Sequence, residues 1–270
     1  MRQYSAAVYA NENLLLSEVL ERIEADMPLM EVSVYSSAPT ESEISTATGE
    51  YPLKPVSAIK DEEILIVLSD PQADIEFLKD FDGSIIDFTG AFADYDDMYP
   101  IEDPIAFVLN GLVKEAKDAE AVALIPAALF GKSGIDDLLT QTRELFTFAN
   151  AETKVFDQRL AFNMFFSDPD QGILSGYRQK LKQDTGIDVD VRMIPVSTGF
   201  VLDVYFKKDV NSNLTISDLN SRFGTLADVI GSDSIVKLAD TGRRLSFAGD
   251  YIHTVVRQVA DAIKEITGED

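Results

Sequence analysis

The chain has 270 residues, of which 46% are hydrophobic and 26% charged; 47 acidic residues against 23 basic ones give a formal net charge of −24, with one histidine and no cysteine. That composition describes a globular chain of one large domain or two ordinary ones, and it excludes a disulfide framework, a thiolate metal site and a cysteine nucleophile. A surface this acidic repels nucleic acid and anionic lipid, because phosphate binding depends on Lys and Arg displacing counterions.

The opening stretch MRQYSAAVYANENLLLSEVL has no long apolar run followed by a small-residue cleavage site, and Glu12 already brings in acid. The expectation is a cytoplasmic chain with neither nucleic acid nor membrane as partner. Ala6 to Tyr9 is a short apolar run, and Leu14, Leu15, Val19, Leu20 and Ile23 then recur at helical spacing with Asn13 as N-cap. Glu31 to Tyr35 alternates as a strand does, whereas residues 36 to 60 are rich in Ser, Thr, Pro and Glu and read as loops with one weak strand at most. Ile64 to Leu68 is a continuous apolar run of the kind buried in a parallel sheet. Ser69-Asp70-Pro71 opens a helix through about Leu78, and Ser84 to Phe88 is another buried strand leading into Thr89-Gly90-Ala91-Phe92. This βαβ rhythm implies a doubly wound parallel sheet.

Residues 93 to 103 read as acidic and irregular, and Pro104 to Lys117 as a helix capped by Asp103. Ala121 to Ile125 is a strand. Gly134 to Ala149 is an amphipathic helix with Leu138, Leu139, Leu145 and Phe146 on one side. Ser175 to Thr185 is helical, with Gly186 placed to stop it. Val189 to Pro195 and Phe200 to Lys207 read as two strands joined by the turn Val196 to Gly199, and Ile216 to Phe223 as a short helix. In the second of those strands Phe200, Leu202, Val204 and Phe206 share one face, and Val201, Asp203, Tyr205 and Lys207 the other. Short strands follow near Ser234 to Leu238 and Arg244 to Phe247. Asp250 caps a closing helix through Ile266, whose stripe of Ile252, Val255, Val259, Ala262, Ile263 and Ile266 must pack on something, most simply the first part of the chain.

The candidate motifs are weak as chemistry. Gly131-Lys132-Ser133 invites a phosphate-loop reading, but the glycine required five positions earlier is Pro126, which has no N–H to offer. His253 is alone, so a triad or zinc site would need acidic residues to complete it, and a helix-surface histidine is the plainer reading. Asp96-Asp97 and Asp136-Asp137 are sequence neighbours that point apart and read as acidic surface. In a βαβ fold a dinucleotide pyrophosphate sits on the first helix N-terminus and demands glycines. The turn here is Tyr9-Ala10-Asn11-Glu12-Asn13-Leu14-Leu15, with no glycine before Gly49. Glu12 would face the phosphates, a repulsion of about 1 kcal/mol at roughly 4 Å in water and more when buried.

Several segments, in order, resemble the aspartate-semialdehyde dehydrogenase family: Ser5 to Ile23 at its glycine turn and first helix, EILIVL at 63–68, and IIDFTGAF at 85–92 against V-I-D-x-S-G-A-F. GKSGIDDLL at 131–139, RLAFNMFF at 159–166, VRMIPVSTGF at 191–200 and the closing GDYIHTVVRQVADAI at 249–263 continue it. The departures fall on what the resemblance makes functional. The family's active-site cysteine would fall near Glu102 to Pro104, and its general-base histidine at Phe200 or Thr198. A basic residue that commonly follows GAF is Ala93, and only Arg192 matches a substrate-binding arginine. Thiohemiacetal chemistry needs a thiolate and a base in reach.

The resemblance therefore implies an α/β chain in two parts. Residues 1–118 with 250–270 form a Rossmann-like parallel-sheet domain with a degenerate nucleotide loop, and residues 119–249 an α/β dimerisation domain. The expected function is that of a catalytically inactive relative acting as a dimeric scaffold or regulatory protein, without catalytic, cofactor-binding or metal-binding residues and without a cofactor. Its partners are a second copy and a further protein that the sequence does not name. The alternatives are a metabolite sensor that binds without turnover, and an active NAD(P)-dependent semialdehyde oxidoreductase with altered site residues.

Overall fold

The computed structural model describes residues 4–11, 14–39, 43–112, 119–166, 172–208, 217–218 and 225–268. By its internal contacts the chain divides into one unit of residues 1–102 with 255–270 and another of 103–254. The sequence reading placed the first division after residue 118; in the structure it falls after Glu102, and the helix Pro104–Leu112 belongs to the second unit.

The first unit carries β1 (Ser5–Tyr9), α1 (Leu14–Asp26), β2 (Glu31–Ser36), β3 (Glu43–Ser45), β4 (Glu50–Pro55), β5 (Ile64–Val67), α2 (Ile75–Leu78), β6 (Ser84–Asp87) and β7 (Met98–Pro100). Its sheet runs in the order β3-β4-β2-β1-β5-β6-β7 and is parallel throughout except for the β3–β4 pair. This is the Rossmann-like arrangement that the βαβ rhythm implies. β1 and β5 at its centre are covered on both faces, which is why Ala6–Tyr9 and Ile64–Val67 read as unbroken apolar runs. Residues 36–60, read as loops with one weak strand at most, hold two strands: β3 and β4 lie there, and β4 extends the parallel sheet through Val34↔Leu53. Most of their residues are half-buried or exposed, so they carry polar side chains and no apolar alternation. β7, a three-residue edge strand, lies within the stretch read as irregular. α2 is only one turn long, shorter than the helix read from Ser69. Asn13, read as the cap of α1, and Glu12 lie outside the described residues. α1 buries Leu15, Leu16, Val19, Leu20 and Ile23, so Leu16 takes the place in the stripe assigned to Leu14.

The closing helix α6 (Tyr251–Thr267) continues into this unit from Val255 onward. Val255, Val256, Val259, Ala260, Ala262 and Ile263 are buried. Within the unit, Gln258 makes two reciprocal hydrogen bonds with the backbone of Glu102, and Lys264 pairs with Asp26 at 3.3 Å.

The second unit carries α3 (Pro104–Leu112), β8 (Glu120–Ile125), α4 (Gly131–Phe146), β9 (Phe165–Phe166), α5 (Ser175–Thr185), β10 (Asp188–Met193), β11 (Gly199–Tyr205), β12 (Ser217–Asp218), β13 (Val236–Asp240) and β14 (Arg244–Asp250). Its mixed sheet runs β12-β13-β14-β11-β8-β10-β9. β10 and β11, expected as a joined pair, are separated by β8, which is parallel to β10 and antiparallel to β11. Phe200, Leu202 and Val204 are fully buried on one face of β11, whereas Val201 and Asp203 are half-buried and Tyr205 is exposed on the other. The helix read at Ile216 to Phe223 is replaced at Ser217–Asp218 by a short strand beside β13, and its other residues lie outside those described. α5 ends at Gly186 in the left-handed region (φ 73°), the conformation that a side chain disfavours. No helix among the described residues is long and apolar enough to cross a membrane.

Candidate functional site

In the first unit the ends of β1, β2 and β5 form the place where a Rossmann-like sheet receives a nucleotide. Here polar side chains tie these ends to one another. The N–H of Asn11 donates to Ser69 Oγ at 3.0 Å, and Asn11 Oδ1 accepts from the hydroxyls of Ser36 (2.8 Å) and Ser37 (3.1 Å). Tyr9 donates its phenol to Asp74, and burial, then this hydrogen bond and the carboxylate's charge, hold the phenol above its usual range. The Thr89–Phe92 turn is fixed by buried Asp87, which accepts from Thr89 N–H and hydroxyl at 2.7 Å and from Phe92 N–H at 2.9 Å. Ala93, after that turn, is exposed, as are Asp96 and Asp97.

In the second unit a polar cluster forms at the N-terminus of α3. Asp103 caps the helix by accepting from the N–H of Ile105 at 2.9 Å and of Ala106 at 3.3 Å. Its carboxylate also accepts from Tyr177 of α5 at 2.9 and 3.0 Å and from Tyr251 of α6 at 2.5 Å. Burial raises the Asp103 carboxyl above its usual range, while the two phenols and the helix N–H groups work against that shift. Burial, and then the nearby carboxylate, push both phenols well above theirs. The sequence showed Asp103 as a cap; it gave no sign of the tyrosines, which stand 74 and 148 residues away.

The Tyr251 N–H donates to the Thr198 carbonyl at 2.8 Å, while the Thr198 hydroxyl donates to Asp250 at 2.7 Å. Asp250 caps α6 as expected, accepting from the N–H groups of Ile252 and His253, and it also takes the N–H of Gly231. His253 Nδ1 lies 3.3 Å from Asp233 Oδ1 on the helix surface. Phe200 is in the core, its ring over Gly249, where a Cβ would come within 2.8 Å of it. Arg192 does not join the Asp103 cluster: it pairs with Asp190 at 2.7 Å and stacks 5.7 Å above the Phe166 ring.

The stretch Pro126 to Ser133, read as a loop, is a turn of 3-10 helix (Ala127–Phe130) running directly into α4. Lys132 and Ser133 are exposed in the first turn of α4, and the Ser133 hydroxyl donates to the Phe130 carbonyl. The buried side of α4 is Gly134, Asp137, Leu138 and Gln141; Leu139 and Phe146 are exposed. The reading of Asp137 as acidic surface is thereby corrected. Its Oδ2 accepts the N–H groups of Lys154, Val155 and Phe156, and Gln141 Oε1 those of Leu160 and Ala161. These two side chains hold the irregular segment that supplies no regular ladder. No group of three or more His, Asp and Glu side chains able to hold a metal occurs among the described residues.

A Rossmann-like unit followed by a mixed-sheet α/β unit defines the class of fold. Within that class the chain is similar to solved aspartate-semialdehyde dehydrogenases. A probable aspartate-semialdehyde dehydrogenase from Pseudomonas aeruginosa matches with a TM-score of 0.77 and 17% identity over 97% of this chain and 99% of that one. Aspartate semialdehyde dehydrogenase II from Vibrio cholerae matches with 0.77 and 16% over 98% and 99%, and the enzyme from Francisella tularensis with 0.68 and 15% over 97% and 100%. At such identities the likeness is one of fold. No family profile and no curated sequence matches the chain.

Proposed function

We propose that this chain keeps the aspartate-semialdehyde dehydrogenase fold without the reaction, and serves as a homodimeric scaffold or regulatory protein. The observation that carries this reading is the Asp103 cluster. The resemblance puts the reactive thiol near Glu102 to Pro104, and in that place Asp103 has its carboxylate committed to two phenols and two helix N–H groups. A carboxylate so engaged stabilises the helix start and leaves no free nucleophile. The two positions for the base support the same reading: Phe200 is core, and the Thr198 hydroxyl is bonded to Asp250.

The nucleotide end of the first unit does not fit a pyrophosphate. The Asn11 N–H, which would otherwise be free to face phosphate, is bonded to Ser69, and the carboxamide of Asn11 ties down Ser36 and Ser37. No glycine before Gly49 lets the backbone approach an anion. We expect no turnover in either direction with a semialdehyde plus phosphate, or with a phosphorylated aspartyl substrate, in the presence of NAD or NADP. Calorimetric titration with each cofactor should give no heat at millimolar concentration. Turnover abolished by Arg192→Ala, or a dissociation constant in the micromolar range, would restore the enzyme reading.

A further inference from the structure

Four phenyl rings of the second unit stand in solvent: Phe146 is 71% exposed, Phe148 98%, Phe162 67% and Phe166 69%. Phe146 and Phe162 meet edge to face with centroids 5.8 Å apart. Phe148 and Phe162 also have left-handed backbones, at φ 57° and 56°. That region is disfavoured for a residue with a side chain and is rarest for bulky ones. Folding alone favours Gly or Asn at such positions. Grouped apolar side chains held in water mark a surface that meets another molecule.

The chemistry of that molecule follows from what adjoins the rings. Asn163, next in the chain after Phe162, lines a cavity of about 350 Å³ walled by Met164, Phe165, Phe166 and Ile173, with the exposed carboxylate of Asp157 at its polar side. Among the described residues no Lys or Arg lines it. Aromatic faces, a thioether and one carboxylate suit the aliphatic stem and cationic head of a Lys or Arg side chain. Phe166 shows the affinity within the molecule by taking the guanidinium of Arg192. Among the described residues β9 is the last strand of its sheet and pairs only with β10, so an extended chain can lie along its other side. The net charge of −24 steers basic partners toward the protein, whereas a second copy would bring the same excess of acid to an acidic cavity.

We propose that this margin of the second unit docks an extended, basic and apolar segment of a partner protein. A Lys or Arg of that segment enters the Asp157 cavity, and its apolar side chains cover the Phe146–Phe162 pair. The surface lies at the β9 edge and is independent of whether the chain is catalytic.

The test is fluorescence anisotropy on the full chain at physiological salt with three labelled peptides. One alternates Lys or Arg with Phe and Leu; the second carries Glu in place of the cations; the third carries Ser in place of the apolar residues. The first should bind at micromolar concentration and the others at least about tenfold more weakly. Asp157→Lys and Phe162→Ser should each weaken the first peptide about tenfold, with the fold of each variant checked by circular dichroism. Asp82→Lys, a reversal of an exposed acid in the first unit, should leave binding within about twofold. Equal binding of all three peptides, or equal effects of the two charge reversals, would reduce the interaction to general charge attraction and overturn the proposal. So would a Phe162→Ser variant that lowers the sedimenting mass while binding the peptide normally, because the rings would then be a contact between copies.

Discussion

Asp103 and Asp137 are both held by backbone N–H groups, and their environments move them in opposite directions. At Asp137 burial works to raise the carboxyl, but the N–H groups of Val155, Lys154 and Phe156 and the Gln141 side chain outweigh it, and the group is lowered. A lowered folded value stabilises the protein above the ordinary carboxylate range and loses that contribution as pH falls through the folded value. Asp137→Asn should therefore cost roughly 1–3 kcal/mol near neutrality, with the gap to the wild type closing on acidification. At Asp103 burial prevails and the carboxyl is raised. Its contribution is full below the unfolded value of about 4 and is lost as pH rises through the folded one. The advantage of the wild type over Asp103→Asn should shrink as pH is raised from that point. Urea midpoints across a pH series check both, and parallel curves for either pair would contradict the assignment. Neither role was legible beyond Asp103 as a helix cap: sequence shows a carboxylate's helix position, but not whether distant backbone or a phenol meets it.

At the scale of elements, burial decided what could be read. The strands covered on both faces, β1, β5 and β6, stood out as apolar runs, and α5 and α6 as periods with stops and caps in place. Edge strands β3 and β7, and β4 beside β3, carry little apolar pattern because half-exposed backbone pairing imposes little on side chains. The apolar stripe assigned to α4 holds at Leu138 and not at Leu139 and Phe146, which turn outward, because its inner face meets an irregular segment and carries Asp137 and Gln141. Pairing order was not legible either, since β8 enters between β10 and β11 from 60 or more residues earlier in the chain. The best test of the observed order is the β11–β14 pair, where Phe200↔Gly249 are register partners. Gly249→Ala places a methyl against the fully buried Phe200 ring. Overpacking of this kind costs about 1–3 kcal/mol, or roughly 2–4 °C in Tm per kcal/mol. Adding Phe200→Leu should recover most of the loss, because the two sites share one contact. Additive losses would mean that the two strands are not in this register.

For the whole molecule the remaining question is what meets the outer face of the second sheet. Around its centre, Val122, Leu124 and Val201 are half-buried and Tyr205 is exposed. The charges beside them are neutralised in pairs: Arg244 bonds Asp203 at 3.0 Å and lies 5.9 Å over the Tyr205 ring, and Arg192 bonds Asp190. This face is thus mixed, whereas the Phe200, Leu202 and Val204 face is wholly buried within the unit. A local balance of charge on a chain of −24 is what a symmetric contact between copies requires, since like patches must meet without adding repulsion. We expect a homodimer through this face, burying on the order of 2,000 Å² in total. Long-range repulsion between two acidic subunits is screened by salt over about 8–10 Å, while apolar burial is not, so the dimer should tighten as salt is added. Sedimentation at low concentration across a salt series measures this directly. Val201→Glu, which sets a third charge beside the Arg244–Asp203 pair, should shift the chain to monomer with its fold intact by circular dichroism. A monomer at every salt concentration, or dissociation on adding salt, would remove the dimer from the proposed function and leave a non-catalytic reading that rests on the Asp103 cluster, the two base positions and the nucleotide end.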